Sequence, residues 1–121
     1  MKPKLSLGLA VLSLVLCASP AALAGPRYDT TLSIAYSPSS GGRFAGHLVS
    51  HAGCVAGREV SVYRKEPGKD AAIGHDTAAA SGRWRVAANR IAAGDYYAKT
   101  PRVSTAGGIC AAAKSVTTRT S

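Results

Sequence analysis

Three histidines come nearest, by type and spacing, to a metal site. His47 and His51 are four residues apart, and His75 directly precedes an aspartate. Zinc takes four tetrahedral ligands, and on a helix two histidines four residues apart would share one face and could bind it. The segments around these residues favour strands and turns instead. We therefore expect surface histidines, with no bound metal and no other cofactor.

Other catalytic chemistries lack a recognisable arrangement of residues. The chain contains no Gly-x-Ser-x-Gly segment of the kind that presents a nucleophilic serine. Two glycine pairs, at 41–42 and 107–108, are not followed by the Lys-Ser/Thr of a phosphate-binding loop. Four of the six acidic residues fall in or beside predicted turns: Glu66, Asp70, Asp76 and Asp95. We predict that the protein is not an enzyme.

The first 24 residues have the pattern of a secretory signal peptide. Lys2 and Lys4 precede an apolar run over 5–16, and Ala-Leu-Ala at 22–24 forms a small-x-small cleavage site. The run is shorter than the roughly 20 residues that a transmembrane helix needs. We expect a signal helix over 1–24, cleavage after Ala24, and export to the periplasm or beyond as a single domain of residues 25–121.

Two alternatives to cleavage are an uncleaved N-terminal membrane anchor and a lipoprotein modified at Cys17. Leu16 argues against the second, because lipoprotein processing is expected to require a small residue directly before the lipidated cysteine. No other stretch is apolar enough to span a membrane. After cleavage Cys54 and Cys110 remain, an even pair in an exported protein, which predicts one disulfide. It would close a loop of about 57 residues and contribute roughly 4 kcal/mol in the chain-entropy model.

Short segments with β-strand character alternate with turn residues from residue 30 onward, which is typical of an all-β fold. The predicted strands cover 30–36, 43–50, 59–64, 71–77, 83–87 and 95–100, and a last strand lies in the tail from 113 to 118. The link 88–94 has room for one helical turn, and 101–108 is predicted to be a loop. We expect about seven antiparallel strands in two packed sheets, with a closed barrel as the runner-up.

Alternation along these strands predicts which side chains form the core. The clearest case is 83–87, where Trp84 and Val86 face inward and Arg83 and Arg85 face water. The expected core residues are Phe44, Val60, Val62, Ile73, Trp84, Val86 and Tyr96.

The chain is strongly basic. Removal of Lys2 and Lys4 leaves thirteen basic and six acidic residues, a net charge of +7. Such a surface attracts anions, and the candidate anion contacts are Arg64, Lys65, Arg83 and Arg85. The basic residues are spread along the whole chain, so an evenly solvated basic surface is the competing interpretation. We expect no nucleic-acid binding, because the export signal removes the protein from most nucleic acid and the single tryptophan serves best in the core.

A longer motif resembles the carboxypeptidase-regulatory-like, or transthyretin-like (bacterial Ig-like), sandwich domains of exported bacterial proteins. It runs from about Phe44 to Val116 and consists of Cys54-x-x-Gly57-Arg58-x-Val60-x-Val62-Tyr63-Arg64, a Pro-Gly turn, Ile73-Gly74, Thr77, Gly82-x-Trp84-x-Val86, Gly94-Asp95-Tyr96-Tyr97-Ala98-Lys99, and Cys110 with Ser115. The resemblance implies the sandwich fold and an exported accessory or binding role.

Two functions follow as hypotheses. The first is a monomeric binding or adhesion module that recognises a protein or glycan of the cell envelope through an exposed face or through loops. The favoured surface is the loops at one end, around 37–43, 65–70 and 101–108. The second is a basic protein that associates with anionic envelope surfaces without a specific partner.

Overall fold

The computed structural model describes residues 25–121. The predicted signal peptide, with Cys17 inside it, lies outside the described residues. Within 25–121 the fold is all-β, as predicted, and contains no α-helix. No helix in this part of the chain is long and apolar enough to cross a membrane.

Twelve short strands follow one another along the described chain. They are β1 (Arg27–Tyr28), β2 (Thr30–Leu32), β3 (Ala35–Ser37), β4 (Arg43–Ser50), β5 (Glu59–Arg64), β6 (Ala71–Thr77), β7 (Arg83–Ala87), β8 (Gly94–Thr100), β9 (Val103–Thr105), β10 (Gly108–Cys110), β11 (Ala113–Lys114) and β12 (Thr118–Thr120). Single 3-10 turns lie at Ser39–Gly41 and Ala52–Cys54.

The strands form three sheets. In the first sheet β4 is central, with β2 and β3 paired along one edge and β7 along the other. In the second, β8 and β5 are central, β6 pairs with β5, and β11 and β12 both pair with β8. A third, small sheet joins β1, β10 and β9, and its β1–β10 pair is parallel.

Three predictions about strands were wrong in detail. Residues 30–36 form two strands instead of one, 101–108 contributes to the β9–β10 hairpin instead of a loop, and the tail strand is divided into β11 and β12. No helical turn forms in 88–93. The hairpin forms because Thr105 Oγ1 accepts the Gly107 N–H at 3.2 Å and donates to the Gly108 carbonyl at 3.1 Å, which closes a turn that composition does not reveal.

The interruption between β2 and β3 lies at Ser33. The pairing register with β4 is the same on both sides of it, but the Ser33 hydroxyl, instead of a backbone carbonyl, accepts the His47 N–H at 3.0 Å. Gly46, the neighbour of His47 on β4, lies so close that a Cβ there would be 1.9 Å from the Ser33 carbonyl oxygen. The close approach therefore requires glycine at position 46.

The first two sheets share one core. Phe44 from β4 and Tyr96 from β8 place their ring centroids 4.9 Å apart. Six of the seven expected core residues are buried: Phe44, Val60, Val62, Trp84, Val86 and Tyr96. Ile73 is only partly buried and packs against this cluster from β6, because β6 is an edge strand with one neighbour.

Candidate functional site

A basic groove lies along β4 and β7, with a volume of about 680 Å³. Its basic side chains are Arg43, His47, Arg83 and Arg85, and the name basic groove refers to the surface that these four residues line. Its other lining residues are Ser33, Ile34, Ala35, Ala45, Gly46, Asp76, Thr77, Ala79 and Trp84.

Strand alternation places the basic side chains on this face. In β7, Trp84 and Val86 are buried while Arg83, Arg85 and Ala87 are exposed. The register with β4 sets Arg83 opposite His47, Arg85 opposite Ala45, and Ala87 opposite Arg43. Each pair thus contains at least one basic residue.

Small side chains make the surface concave. Ala45 has Arg85 beside it on β7 and Ala35 beside it on β3. An alanine projects little beyond the backbone, whereas arginine reaches several ångströms further. The long side chains therefore rise around a shallow apolar floor, which leaves room for a ligand in contact with both.

A second, smaller groove of about 300 Å³ adjoins the first. It is lined by Gly42, Arg43, Arg85 and Ala87, so Arg43 and Arg85 border both depressions. The positively charged surface is consequently longer than the first groove alone.

The charges in the groove are not neutralised by ion pairs. Among residues 25–121, none of the four basic side chains of the groove forms a salt bridge; the pairs present there are Arg64–Glu66, His75–Glu59 and Arg119–Asp95. Asp76 is the one acidic residue among the lining residues, and its Oδ2 accepts the Arg85 backbone N–H at 2.8 Å. The guanidinium groups remain available to an external anion.

The four predicted anion contacts separate into two places. Arg83 and Arg85 lie together in the basic groove, whereas Arg64 and Lys65 lie at the end of β5. The Arg64 guanidinium donates to Glu66 Oε2, and this bond raises the pKa of Arg64 above its ordinary value. Because Arg64 already has a carboxylate partner, the β5 position is the weaker candidate.

Sequence reasoning missed Arg43 and His47 as members of the groove. Both lie on β4, whose bounds were predicted correctly, and burial of Phe44 implies that 43, 45 and 47 face outward. What the sequence did not indicate was that β4 pairs with β7, since the two strands are separated by β5 and β6.

The outer face of the second sheet carries a cluster of tyrosines and lysines. Tyr63 and Tyr97 stack with centroids 5.6 Å apart, and Lys99 and Lys114 place their ammonium groups 5.4 and 4.5 Å from the centroids of Tyr63 and Tyr97. The Tyr97 hydroxyl donates to Asp70, which raises the pKa of Tyr97 to about 12 and lowers the pKa of Asp70. The rings, ammonium groups and carboxylate of this cluster contact one another, and Tyr97 is only 4% exposed, so little ring surface is free for a ligand.

The histidines are not brought together. His51 stacks on Tyr28 with centroids 4.0 Å apart, His75 Nδ1 lies 3.2 Å from Glu59 Oε2, and His47 belongs to the basic groove. No group of three or more His, Cys, Asp or Glu side chains within 25–121 is arranged to hold a metal ion.

A disulfide joins Cys54 and Cys110, as expected from the sequence, with Cα atoms 5.5 Å apart. Beside it lies a residue whose role the sequence did not indicate. Arg58 is 4% exposed, and its guanidinium donates to the carbonyls of Cys54, Pro101 and Ala111 at 2.9, 3.0 and 2.9 Å. Burial lowers its pKa.

Two of the three loops expected to form one recognition surface, 65–70 and 101–108, lie at opposite ends of the second sheet. Lys65 donates its N–H to the Asp95 carbonyl, and Arg64 pairs with Tyr96, so 65–70 lies where β8 begins. Residues 101–108 follow the end of β8, next to the disulfide. The prediction of a shared loop surface was therefore wrong, because β5 and β8 are antiparallel.

Comparisons with models of protein families, with curated proteins and with solved structures find no match to this chain.

Proposed function

We propose that this chain is a small exported protein without enzymatic activity, which serves as a binding or accessory module of the cell envelope or extracellular space. The observation that carries this proposal is the basic groove: three arginines and a histidine on one sheet face, unpaired within 25–121, over a floor of alanines. Loops or faces on a rigid β scaffold are common recognition surfaces. The partner we propose is an anionic protein or glycan of the envelope.

The fold we propose is a monomeric, seven-stranded immunoglobulin-like sandwich, in keeping with the resemblance to carboxypeptidase-regulatory-like domains. Support comes from the sheet order. When β2 and β3 are counted as one interrupted strand, and β11 and β12 as another, the first two sheets contain three and four strands. Their shared core also supports two sheets packed face to face.

Export is the second part of the proposal. The signal pattern of residues 1–24 supports it, and so does the disulfide, since disulfides persist in oxidising compartments. Intact mass of the protein from its own cells tests both. We expect a chain that begins at Gly25 with two thiols unreactive until reduction. A chain that retains residues 1–24, or free thiols, would contradict export with cleavage, and a mass starting at acylated Cys17 would replace it with a membrane-tethered lipoprotein.

Diffuse electrostatic association with anionic envelope surfaces is the alternative function. It is favoured by the distribution of charge, because ten of the thirteen Lys and Arg residues of 25–121 lie outside the basic groove.

A salt series with two matched variants separates the functions. Arg83→Gln/Arg85→Gln removes two charges from the groove, and Lys69→Gln/Arg102→Gln removes two exposed charges that do not line it. We expect the immobilised protein to retain a partner from envelope extract above physiological salt, where exposed charges about 8 Å apart are already screened. The groove variant should lose that partner and the control should keep it. Equal losses in both variants would favour diffuse association.

A further inference from the structure

We infer that the ligand of the basic groove is an extended acidic polysaccharide that lies along β4 and β7. This inference rests on the proposed function and specifies its ligand. It follows from the placement of the charges, the chemistry of the arginines and the nature of the floor.

The charges are spread along a line. The cross-strand pairs form three successive rows on this face: His47 with Arg83, Ala45 with Arg85, and Arg43 with Ala87. Successive rows are two residues apart, about 7 Å along a strand, so the first and third rows are about 13 Å apart. A single small anion reaches one or two of these rows. A chain with repeated negative charges reaches all three.

The chemistry of the cations suits carboxylates and sulfates. Arginine presents a planar fork of donors that binds such groups through two hydrogen bonds. In the described part of the chain, the guanidinium groups of Arg43, Arg83 and Arg85 form no ion pair with a carboxylate. Binding would therefore not first require an internal ion pair to break.

The floor suits a sugar ring better than a base or an acyl chain. Ala35 and Ala45 offer a small apolar surface, and Trp84, although it lines the groove, is 2% exposed and cannot stack on a nucleobase. Large exposed apolar residues in 25–121 are limited to Val49, on β4, and Val116, in the link between β11 and β12. A membrane-inserting surface would present several large apolar side chains together.

The test uses the oxidised protein of residues 25–121, with oligogalacturonate as the carboxylated chain. We expect the oligomer at physiological salt to bind at least tenfold more tightly than galacturonic acid, and neutral dextran not to bind. Arg83→Gln/Arg85→Gln should lower the affinity for oligogalacturonate at least tenfold, since the loss of one charge-assisted hydrogen bond lowers affinity by about that factor. Lys69→Gln/Arg102→Gln should stay within about twofold of the wild type.

Three results would overturn the inference. In the first, galacturonic acid binds as tightly as oligogalacturonate. In the second, both variants weaken the binding of oligogalacturonate equally. In the third, anionic lipid vesicles or single-stranded DNA bind more tightly than oligogalacturonate. If the groove variant loses its envelope partner but the wild type binds no acidic polysaccharide, the inference fails and the proposed function stands. If the groove variant keeps its envelope partner, the proposed function itself fails.

Discussion

Asp76 Oδ2 accepts a hydrogen bond of 2.8 Å from the backbone N–H of Arg85. The bond joins the edge of β6, in the second sheet, to the edge of β7, in the first. Two further bonds occupy the same edge: Ala79 N–H donates to the Arg83 carbonyl at 3.0 Å, and Arg83 N–H donates to Ser81 Oγ at 3.4 Å. An edge strand whose polar groups are occupied is protected from pairing with another chain. Asp76 therefore has a structural role beside a groove whose positive charge it reduces.

The two roles of Asp76 can be separated by substitution. Asp76→Asn keeps an oxygen acceptor and removes the charge, whereas Asp76→Ala removes both. We expect Asp76→Ala to lower the free energy of unfolding by about 1 kcal/mol and Asp76→Asn to change it by less than about 0.5 kcal/mol. Both should tighten binding of an acidic oligosaccharide by about twofold, since one exposed repulsive charge is worth little. Urea unfolding and titration calorimetry measure the two effects, and weaker binding in both variants would contradict the proposed polarity of the groove.

Local patterning predicted the fold where a strand has alternating burial and clear turns on both sides. β4, β5, β6 and β7 have the predicted bounds. In β4, β5 and β7 the inward side chains are large and apolar, and a glycine lies one or two residues before each of these three strands. Gly82 illustrates this. Its φ is +90°, and a Cβ there would lie 2.2 Å from the Leu48 carbonyl oxygen, so the turn before β7 needs glycine.

Long-range contacts account for what local patterning missed. The break at Ser33 depends on its hydroxyl bonding to His47, 14 residues away, and the burial of Arg58 depends on carbonyls 43 and 53 residues away. The basic groove likewise requires β4 to pair with β7. None of these contacts has a local signature, so the candidate site was predicted only in its β7 half.

Trp84 is the largest contributor from β7 to the core, at 2% exposure. We expect Trp84→Ala to cost about 3–5 kcal/mol, a large part of the stability of a small domain. Trp84→Phe should cost less, about 1–2 kcal/mol, because Trp84 Nε1 has no hydrogen-bond partner in the described chain and no bond is lost. Thermal and urea unfolding measure both. An unchanged melting temperature for Trp84→Ala would contradict the assignment of this strand face.

The Tyr97–Asp70 hydrogen bond makes stability depend on pH at both extremes. The pKa of Tyr97 is raised from 10.0 to about 12, so the unfolded chain ionises first and the stabilisation is lost as pH rises from 10 to 12. The pKa of Asp70 is lowered, so its contribution is present above about pH 4 and is lost as pH falls below that value. We expect Tyr97→Phe to be less stable than the wild type by a constant amount from about pH 5 to 9, with the difference shrinking outside that range. A difference that does not change with pH would show that packing alone separates the two proteins.

Arg58 connects three segments near the disulfide, and its removal should destabilise the fold even with the disulfide intact. Arg58→Met fills a similar volume but leaves the carbonyls of Cys54, Pro101 and Ala111 without their donor. Buried acceptors without partners each cost about 1–3 kcal/mol, so we expect a loss of about 3 kcal/mol after local rearrangement. Arg58→Lys keeps the charge but cannot span three carbonyls, and should lose an intermediate amount. The matched control, Arg102→Met, changes an exposed arginine in the same region and should stay within about 0.5 kcal/mol of the wild type. Urea unfolding of the oxidised proteins gives the comparison. If Arg58→Met were as stable as the control, the three hydrogen bonds would contribute no more than the apolar contact that replaces them.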